Sequence, residues 1–387
     1  MGISYICRSP GVNLGLFLME EKMEDIIYMQ RAIFLAKKGA GFVNPNPMVG
    51  AVIVKDGRII GEGYHKKYGQ LHAERNALKD CKEKGNCPKG ATIYVTLEPC
   101  CHHGKTPPCT EAIIESGISR VVIGTLDVNP LVAGKGAKLL SEYGIKVEVG
   151  LLEKECRNLN KVFNKYVSTK LPYVVMKYAM TADGKIATAS GESRWITGEA
   201  ARENVHKLRK NLSGIMVGVN TVLADNPMLN CRLEESANNP VRIICDSYLR
   251  TPLDSNVVKT AGEIDTIIAT ACDDAKKVAE YEKRGCKILL LPKKESGIDL
   301  KILMLELGKM GIDSVLIEGG GTLNYSALES KIVDEIHIHV APKIFGGSSK
   351  SPVEGTGIAD ITKAIRLNPI GTSWAGEDLI IENEVVY

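Results

Sequence analysis

The segment Thr92-Ile93-Tyr94-Val95-Thr96-Leu97-Glu98-Pro99-Cys100, with Cys109 after eight further residues, constrains the architecture of this 387-residue chain more than any other. β-Branched and aromatic residues over positions 92–96 predict a strand, and positions 110–117 predict the helix that follows. A strand that passes through a polar loop into a helix is the repeating unit of an α/β fold.

The same alternation continues on both sides of this segment. Upstream, a helix at residues 25–38 should end at Gly39, and a hairpin should turn at Asp56-Gly57. The predicted elements are strands at 49–54, 59–64, 92–96, 120–124 and 146–149, and helices at 25–38, near 72, at 110–117 and at 136–143. Helices that alternate with strands predict a layered α/β domain.

A second α/β domain is predicted in the other half of the chain. Lys170-Leu171-Pro172 follows a charged, amphipathic stretch, so we divide the chain into residues 1–22, 23–168 and 169–387. The predicted strands lie at 173–178, 214–219, 241–245, 266–269, 287–291, 314–318 and 335–340, with helix-like segments between them. Two folded domains also suit the length of the chain.

Composition and charge narrow the function classes. With 44% apolar and 25% charged residues the chain can bury sizeable cores, which excludes a disordered or fibrous protein. The charge balance of 49 − 46 = +3 is too small for a nucleic-acid binder and favours small-molecule substrates. Eleven scattered cysteines indicate a reducing cytoplasm, and no apolar run is long enough to cross a membrane.

The first 22 residues are treated as an extension. Met23 opens a strongly helical pattern, whereas residues 1–22 have no periodicity of their own. Purine-rich codons for Glu20-Glu21-Lys22 would precede a Met codon, as a bacterial ribosome-binding site does. We therefore hypothesise that translation starts naturally at Met23; a natural protein that begins at Met1 by mass spectrometry would contradict this.

His72, Glu74, Cys100 and Cys109 together predict a catalytic zinc site. One imidazole and two thiolates form a zinc ligand set that leaves the fourth tetrahedral position to water, whose pKa zinc lowers toward neutrality. Glu74 follows His72 by two residues, where it can take the water's proton and pass it to a leaving amine. Taken alone, a His-x-Glu pair is more typical of an exposed helix face, and two reduced cysteines are more typical of buried apolar side chains. The four residues together favour a zinc site.

The eight residues between Cys100 and Cys109 predict a ligand-binding loop. The zinc-deaminase signature has two residues at this place. His102, Lys105 and Thr106 of the loop can hold a phosphate or the exocyclic groups of a small substrate. Asn46 can hydrogen-bond a base, although Asn-Pro also suits a plain turn.

By itself, the second half is ambiguous. Glu318-Gly319-Gly320-Gly321 follows a predicted strand and opens a helix, so its amides can approach a pyrophosphate, but a tight turn explains it equally well. Because it is not Gly-x-Gly-x-x-Gly, a Rossmann fold is unsupported. Asp183 and Glu318 are candidates for proton handling.

Several segments resemble the bifunctional riboflavin-biosynthesis deaminase/reductases. In the first half these are residues 44–50 (Asn-Pro-Asn-Pro-Met-Val-Gly), Gly63-Tyr64-His65, His72-Ala73-Glu74 and residues 96–109 with their long insert. In the second half they are residues 180–187, 191–197, 218–227, 315–324 and 341–347. The resemblance extends from about Met23 to the C-terminus; it departs at Cys101, where serine is expected, and at the N-terminal extension.

The resemblance implies a cytidine-deaminase-like three-layer α/β/α domain followed by a dihydrofolate-reductase-like α/β domain, with one Zn²⁺ per chain and NADPH. Implied ligands of the deaminase substrate are Asn46, His65, His102 and Lys105. Implied cofactor contacts are Met180, Trp195, Thr221, Asp225, Ser247, Gly320, Gly321, Thr322, Leu323, Asn324, Tyr325 and Ser326. Implied ligands of the reductase substrate are Ser193, Arg209, Leu229, Arg232 and Glu318.

The implied function has two steps. The first domain deaminates 2,5-diamino-6-(5-phosphoribosylamino)pyrimidin-4(3H)-one, and the second uses NADPH to give 5-amino-6-(5-phosphoribitylamino)uracil. The expected partner is thus a phosphorylated pyrimidine, not nucleic acid or membrane, and we expect a homo-oligomer.

Two other functions stay open at this point. One is a nucleoside or RNA deaminase with an inactive second domain, which the near-neutral charge disfavours. The other is a zinc-stabilised binding module, which Glu74 disfavours because a structural site closes its fourth position with a ligand.

Overall fold

The computed structural model describes residues 11–102, 107–130, 132–233, 238–294 and 297–387, and it describes side chains from residue 22 onward. The chain forms two compact units, Met1–Asn164 and Lys165–Tyr387. Each unit has its own main sheet and its own buried core. Among the described residues, every helix falls short of the length and apolar character needed to cross a bilayer.

The first unit is a five-stranded sheet between two layers of helices. Its elements are α1 Gly11–Lys37, β1 Gly50–Lys55, β2 Arg58–Tyr64, α2 Ala73–Glu83, β3 Thr92–Leu97, α3 Cys109–Glu115, β4 Arg120–Thr125, α4 Lys135–Glu142, β5 Lys146–Val149 and α5 Glu153–Leu159; α6 Lys161–Thr169 follows. The sheet order is β2-β1-β3-β4-β5, with β3, β4 and β5 parallel.

The two faces of this sheet carry different helices. Residues of α2, α3 and α4 pack on one face in a cluster that includes Ala77, Ile113 and Leu140. Residues of α1 and α5 pack on the other face around Met29 and Cys156. The predicted three-layer α/β/α fold is confirmed.

Close backbone contact positions α2 on β2. A Cβ atom at Gly63 would collide with the backbone of Ala73 and Ala77, so only glycine lets the first turn of α2 lie this close to the strand. His72 and Glu74 stand at that turn. The glycine of the Gly63-Tyr64-His65 motif therefore helps to place the two residues predicted to carry the chemistry.

A buried ion pair joins α1 to the sheet. Arg120 of β4 donates to both carboxylate oxygens of Asp25, at 2.9 and 2.6 Å, and also to Glu148 at 2.9 Å. The Asp25 and Arg120 side chains are 9% and 14% exposed. Because these charges are largely removed from water, loss of one partner leaves the other charge unpaired.

We expect Arg120→Met to destabilise the first unit by about 3 to 5 kcal/mol, the usual cost of breaking a buried pair from one side. Hydrogen exchange of the β3 and β4 amides measures this change. Arg157→Met is the matched control, since it breaks the exposed Arg157–Glu153 pair of the same unit and should change exchange little. Equal protection in both variants would contradict the expectation.

The second unit is built on a nine-stranded sheet. Its elements after α6 are β6 Tyr173–Thr181, α7 Glu199–Asn211, β7 Gly214–Gly218, α8 Val219–Asp225, β8 Val241–Cys245, α9 Asn256–Lys259, β9 Thr266–Thr270, α10 Ala275–Glu282, β10 Lys287–Leu290, β11 Lys293–Lys294, β12 Gly297–Ile298, α11 Leu300–Lys309, β13 Ser314–Ile317, α12 Gly321–Glu329, β14 Glu335–Ala341, β15 Arg366–Ala375 and β16 Asp378–Val386, with a short 3-10 helix at Ile361–Lys363. β11 and β12 form a separate small hairpin.

The strand order of the large sheet is β10-β9-β8-β7-β13-β6-β14-β16-β15. Neighbours from β10 to β14 are parallel, so the carboxyl ends of these strands share one edge. Apolar clusters cover both faces, one around Met176 and Leu303 and the other around Ile215 and Val257. The predicted α/β class of this half is confirmed.

Two features differ from the sequence-based expectation. Helix α1 begins at Gly11 rather than near residue 25, and no proline interrupts residues 11–24, so nothing in the sequence stops the helix from extending upstream. The C-terminal hairpin β15–β16 was not predicted. Strand β15 is exposed along nearly its whole length and is irregular between Pro369 and Gly371, so it lacks the alternating pattern of a half-buried strand.

Candidate active sites

Three side chains of the first unit converge on a possible metal site. His72 immediately precedes α2, Cys100 follows β3 and Cys109 opens α3. His72 Nδ1 lies 3.5 Å from Cys100 Sγ and 3.4 Å from Cys109 Sγ, and the three atoms lie within 4.8 Å of one another. Zn–N and Zn–S bonds of about 2.0 and 2.3 Å in a tetrahedron separate the donors by about 3.6 Å. The donor set therefore fits zinc in chemistry and in spacing.

The first two residues of α3 hold Cys100 in place. The amide of Cys109 donates to Cys100 Sγ at 3.4 Å, and Thr110 donates its amide and its hydroxyl to the Cys100 carbonyl oxygen. Hydrogen bonds from Cys109 and His72 lower the pKa of the Cys100 thiol well below its ordinary value, which favours a thiolate within this pair of cysteines. A thiolate is the form that binds a metal.

Glu74 lies next to these donors at the beginning of α2, with 3% of its surface exposed. Burial, and then the negative charge of Cys100, raise its pKa to about 7 in the metal-free chain. A carboxyl group in such surroundings binds and releases a proton near neutral pH, which suits proton transfer.

A cavity of about 290 Å³ opens onto two of the three donors, His72 and Cys100, and onto Glu74. Predicted residues that line it are Asn46, His65, His72, Glu74, Cys100 and His102. Lys105 and Thr106 lie outside the described residues. Cys101 is not part of the metal-competent group found among the described residues.

Asn46 and His65 form a connected pair on the wall of the cavity. Asn46 Nδ2 lies 3.2 Å from His65 Nε2, and His65 Nδ1 lies 3.1 Å from the Leu71 carbonyl oxygen. Burial lowers the pKa of His65, so its ring is neutral. Its Nδ1–H then donates to Leu71 and its Nε2 accepts from Asn46, which orients the amide oxygen of Asn46 for another partner.

Asp127 and Asn129 line the same cavity and were not predicted from the sequence. They follow β4, whose carboxyl end lies beside that of β3. The buried carboxylate of Glu98 fixes their loop because it accepts amides from Asp127, Gly134 and Ala137 at 3.2, 2.8 and 3.1 Å. The sequence signal that could have identified both residues is their position directly after a buried parallel strand.

In the second unit, Arg209 and Glu318 form a bidentate ion pair. Arg209 Nε and Nη2 donate to the two carboxylate oxygens of Glu318 at 2.6 and 2.9 Å, and Nη1 donates to the Asn230 carbonyl oxygen at 2.9 Å. Although burial acts in the opposite direction, the charge and hydrogen bonds of Arg209 lower the pKa of Glu318. Glu318 is therefore a carboxylate at neutral pH.

The segment after α8 brings further predicted substrate ligands to this pair. Leu229, with φ +51°, and Arg232 flank Asn230, and the Arg232 amide donates to His206 Nδ1 at 3.2 Å. Arg209, Arg232 and Glu318 thus lie close together, whereas the Leu229 side chain is buried in the core cluster around Ile215 and Val257. Ser193 is half-buried in the loop between β6 and α7, and no described hydrogen bond ties it to this group.

Lys177 and His206 belong to the same surroundings and were not predicted. Loss of hydration on burial lowers the pKa of Lys177, and the negative charge of Glu318 offsets part of this decrease. Burial, with Arg209 and Arg232, lowers the pKa of His206 to about 4, so this ring is neutral and accepts the Arg232 amide proton. His206 and Arg209 are three residues apart and therefore share one face of α7. This spacing is the signal in the sequence that could have identified His206.

The predicted cofactor residues follow neighbouring strands of the large sheet. Thr221 and Asp225 lie on α8 after β7, Ser247 follows β8, and Gly320 with residues 321–326 of α12 follows β13. A Cβ atom at Gly320 would lie 4.0 Å from Thr221 Oγ1, so the beginnings of α8 and α12 are adjacent. Met180 lies near the end of β6, on the other side of β13.

Some predicted cofactor residues already have partners within the protein. Asn324 is buried and donates to the Pro352 carbonyl oxygen at 2.8 Å, and the Tyr325 hydroxyl lies 2.6 Å from that of Thr356. Trp195 is 61% exposed, and the guanidinium of Arg202 lies 4.6 Å from its ring centroid. Trp195 is therefore available for contact with a ligand, which a core tryptophan is not.

Comparison with known proteins matches both halves of the chain. A family model for the cytidine and deoxycytidylate deaminase zinc-binding region matches residues 22–125, and one for the RibD C-terminal domain matches residues 172–381. The riboflavin biosynthesis protein RibD of Actinobacillus pleuropneumoniae is 55% identical over 94% of this chain and 96% of its own length. The RibD protein of Aquifex aeolicus is 44% identical over 92% of this chain and 97% of its own length.

Solved structures agree with these matches. A diaminohydroxyphosphoribosylaminopyrimidine deaminase/5-amino-6-(5-phosphoribosylamino)uracil reductase from Thermotoga maritima is 40% identical, with a TM-score of 0.85, over 95% of this chain and all of that one. Acinetobacter baumannii RibD, form 1, is 37% identical, with a TM-score of 0.83, and the match covers 95% of this chain and all of that one. Because both units are matched at nearly full length, neither an inactive second domain nor a zinc-stabilised binding module is favoured. The chain belongs to the RibD family of riboflavin biosynthesis proteins, and it is a bifunctional deaminase and reductase of that biosynthesis.

Proposed function

We propose that the first unit binds one zinc ion through His72, Cys100 and Cys109 and deaminates 2,5-diamino-6-(5-phosphoribosylamino)pyrimidin-4(3H)-one. The convergence of these three donors beside buried Glu74, next to a cavity that His72, Cys100 and Glu74 line, carries the proposal. The solved relative from Thermotoga maritima is described as a deaminase of this kind of pyrimidine. The zinc ion supplies Lewis acidity that makes water nucleophilic near pH 7.

The chain's own residues handle the protons. A Glu74 carboxylate oxygen takes a proton from the attacking water and delivers it to the leaving amino nitrogen. A C–O bond forms, the C–N bond breaks and ammonia leaves. The Asn46 amide, held by His65, is positioned for hydrogen bonds to the pyrimidine, and His102 and Lys105 complete the substrate ligands.

The second unit reduces the product with NADPH to 5-amino-6-(5-phosphoribitylamino)uracil. NADPH supplies the hydride, and the residues around β6, β7, β8 and β13 hold cofactor and substrate together. Because the guanidinium of Arg209 is occupied by Glu318 and Asn230, Arg232 is the better ligand for the sugar phosphate. The two metal-binding cysteines need a reducing compartment, so we place the enzyme in the cytoplasm.

Elemental analysis with an ammonia assay tests the metal proposal. We expect the purified enzyme to carry one zinc per chain, and expect Cys109→Ser to lose both zinc and ammonia release. Cys81→Ser is the matched control, since Cys81 is a buried cysteine of the same unit that lies outside the donor group. Full ammonia release from zinc-free enzyme, or equal loss in both variants, would contradict the proposal.

A further inference from the structure

We propose that Lys343 is a positioning residue of the reductase, whose ammonium group fixes the backbone at Trp195 and so holds the Trp195 ring in place for the cofactor. The inference rests on the proposed use of NADPH by the second unit, in which Trp195 is an expected cofactor contact. Lys343 lies in one of the segments that carry the family resemblance, residues 341–347, but neither the resemblance nor the site described above gives it a role.

The side chain of Lys343 contacts two successive carbonyl groups that are far away in the sequence. Its Nζ donates to the carbonyl oxygens of Trp195 and Ile196, at 3.0 and 2.7 Å. Because each peptide unit is planar, holding both oxygens fixes two consecutive units, and the first of these is attached to the Trp195 Cα atom. The ammonium group therefore limits the directions in which the Trp195 side chain can leave the backbone.

The backbone of Lys343 is itself fixed to the sheet. β6 and β14 are parallel neighbours, so the loops that follow them start side by side. The Ala182 amide donates to the Lys343 carbonyl oxygen at 2.8 Å. The carboxylate of Asp183 accepts the amides of Phe345 and Gly346 at 3.2 and 2.7 Å. The Lys343 side chain therefore extends from a backbone whose position is set by the ends of two strands.

The segment around the tryptophan is also held from other directions. Arg194 Nη2 donates to the Asp225 carbonyl oxygen at 2.6 Å, and the Gly198 amide donates to the buried carboxylate of Asp378 at 2.7 Å. Asp225 ends α8, which follows β7, whereas Lys343 follows β14, and β13 and β6 lie between these two strands. The segment thus bridges the two sides of the strands that lead into the expected cofactor and substrate residues.

The Trp195 ring depends on its backbone for its position because the ring itself is not buried. It is 61% exposed, whereas Ile196 and Thr197 are 6% and 7% exposed. The guanidinium of Arg202 lies 4.6 Å from the ring centroid and donates to the Thr197 carbonyl oxygen at 3.0 Å. An exposed aromatic ring on a fixed backbone is suited to stack on a planar ring of a ligand.

The ammonium group of Lys343 is committed to these carbonyl groups. None of the ion pairs among the described residues includes Lys343, and its described acceptors are the carbonyl oxygens of Trp195 and Ile196. A charged donor binds a carbonyl oxygen more strongly than a neutral donor does. Lys350 of the same loop is also exposed, but its described hydrogen bond runs from the Ile186 amide to its backbone carbonyl oxygen, at 3.0 Å. Lys350 is thus a matched control for the side chain of Lys343.

Fluorescence anisotropy of Trp195 tests the positioning in the full-length enzyme without cofactor. The chain has two tryptophans, so Trp374→Phe leaves Trp195 as the only one. In this background we expect Lys343→Met to lower the anisotropy of the Trp195 emission, because the ring gains freedom of motion. Lys343→Arg keeps N–H donors and a positive charge and should restore most of the anisotropy. Lys350→Met should leave the anisotropy unchanged.

Calorimetric titration with NADPH measures the consequence for the cofactor. Lys343→Met should weaken NADPH binding by about 3- to 10-fold, less than loss of a buried charged hydrogen bond, because Lys343 is exposed to water. With the deaminated intermediate, the KM for NADPH should rise by a similar factor while kcat changes little, and ammonia release should stay that of the wild type. Unchanged anisotropy or unchanged NADPH affinity in Lys343→Met would overturn the inference alone. A wild type that does not bind NADPH would overturn the proposed cofactor as well.

Discussion

Glu74→Gln is expected to lower the rate of ammonia release by about 10²- to 10⁴-fold, the usual contribution of a positioned general acid–base group. Glutamine keeps the size of the side chain and its place at the beginning of α2, but it cannot carry the proton from water to the leaving amine. Ammonia release from the diaminopyrimidine, measured with purified enzyme, gives the result directly.

Two controls separate this effect from damage to the site. Zinc content should stay that of the wild type, because Glu74 is not among the three donors. Oxidation of NADPH with the deaminated intermediate should also be unchanged, because that reaction uses the second unit. If the variant released ammonia at the wild-type rate, another group would have to move the proton.

Arg209→Met is expected to abolish most of the reductase activity while ammonia release persists. The substitution leaves the carboxylate of Glu318 without its bidentate partner and removes the hydrogen bond to Asn230. Breaking such a pair from one side costs about 3 to 5 kcal/mol, which corresponds to about 10²- to 10⁴-fold in an equilibrium or rate constant. NADPH oxidation with the deaminated intermediate measures the loss.

The pH profile distinguishes this role from a merely structural one. Arg209 lowers the pKa of Glu318, so the wild-type pair stabilises the fold above the ordinary carboxyl pKa and loses that effect as pH falls. In Arg209→Met the pKa of Glu318 rises, and the acid side of the reductase profile should move to higher pH. Arg209→Lys keeps the positive charge and should shift the acid side of the reductase profile less. Identical profiles in all three enzymes would contradict a link between Arg209 and Glu318.

The chemistry of the first unit was predictable because its residues are close to recognisable elements in the sequence. His72 and Glu74 stand at the beginning of a helix, and Cys100 and Cys109 lie between a strand and the next helix, so local patterns also predict their places in space. Asp127 and Asn129 were missed because only the parallel pairing of β3 and β4 brings their loop to the cavity.

The second unit shows the opposite case. Lys177 on β6, His206 on α7 and Glu318 after β13 are far apart in sequence, and each has an ordinary local pattern. Their meeting depends on the order of strands in the large sheet, which short-range periodicity does not determine. The exposed strand β15 was missed for a related reason, since it forms through pairing with β16 rather than through burial of its side chains.

Simultaneous measurement of ammonia and NADPH after addition of the diaminopyrimidine tests the central claim, that one chain deaminates first and reduces second at separate sites. We expect the wild type to release ammonia fully without NADPH and, with NADPH present, to oxidise one NADPH for each ammonia released. Glu74→Gln should do neither, yet should oxidise NADPH when given the deaminated intermediate. Oxidation of NADPH by Glu74→Gln with the diaminopyrimidine itself, or ammonia release that depends on NADPH, would contradict the account.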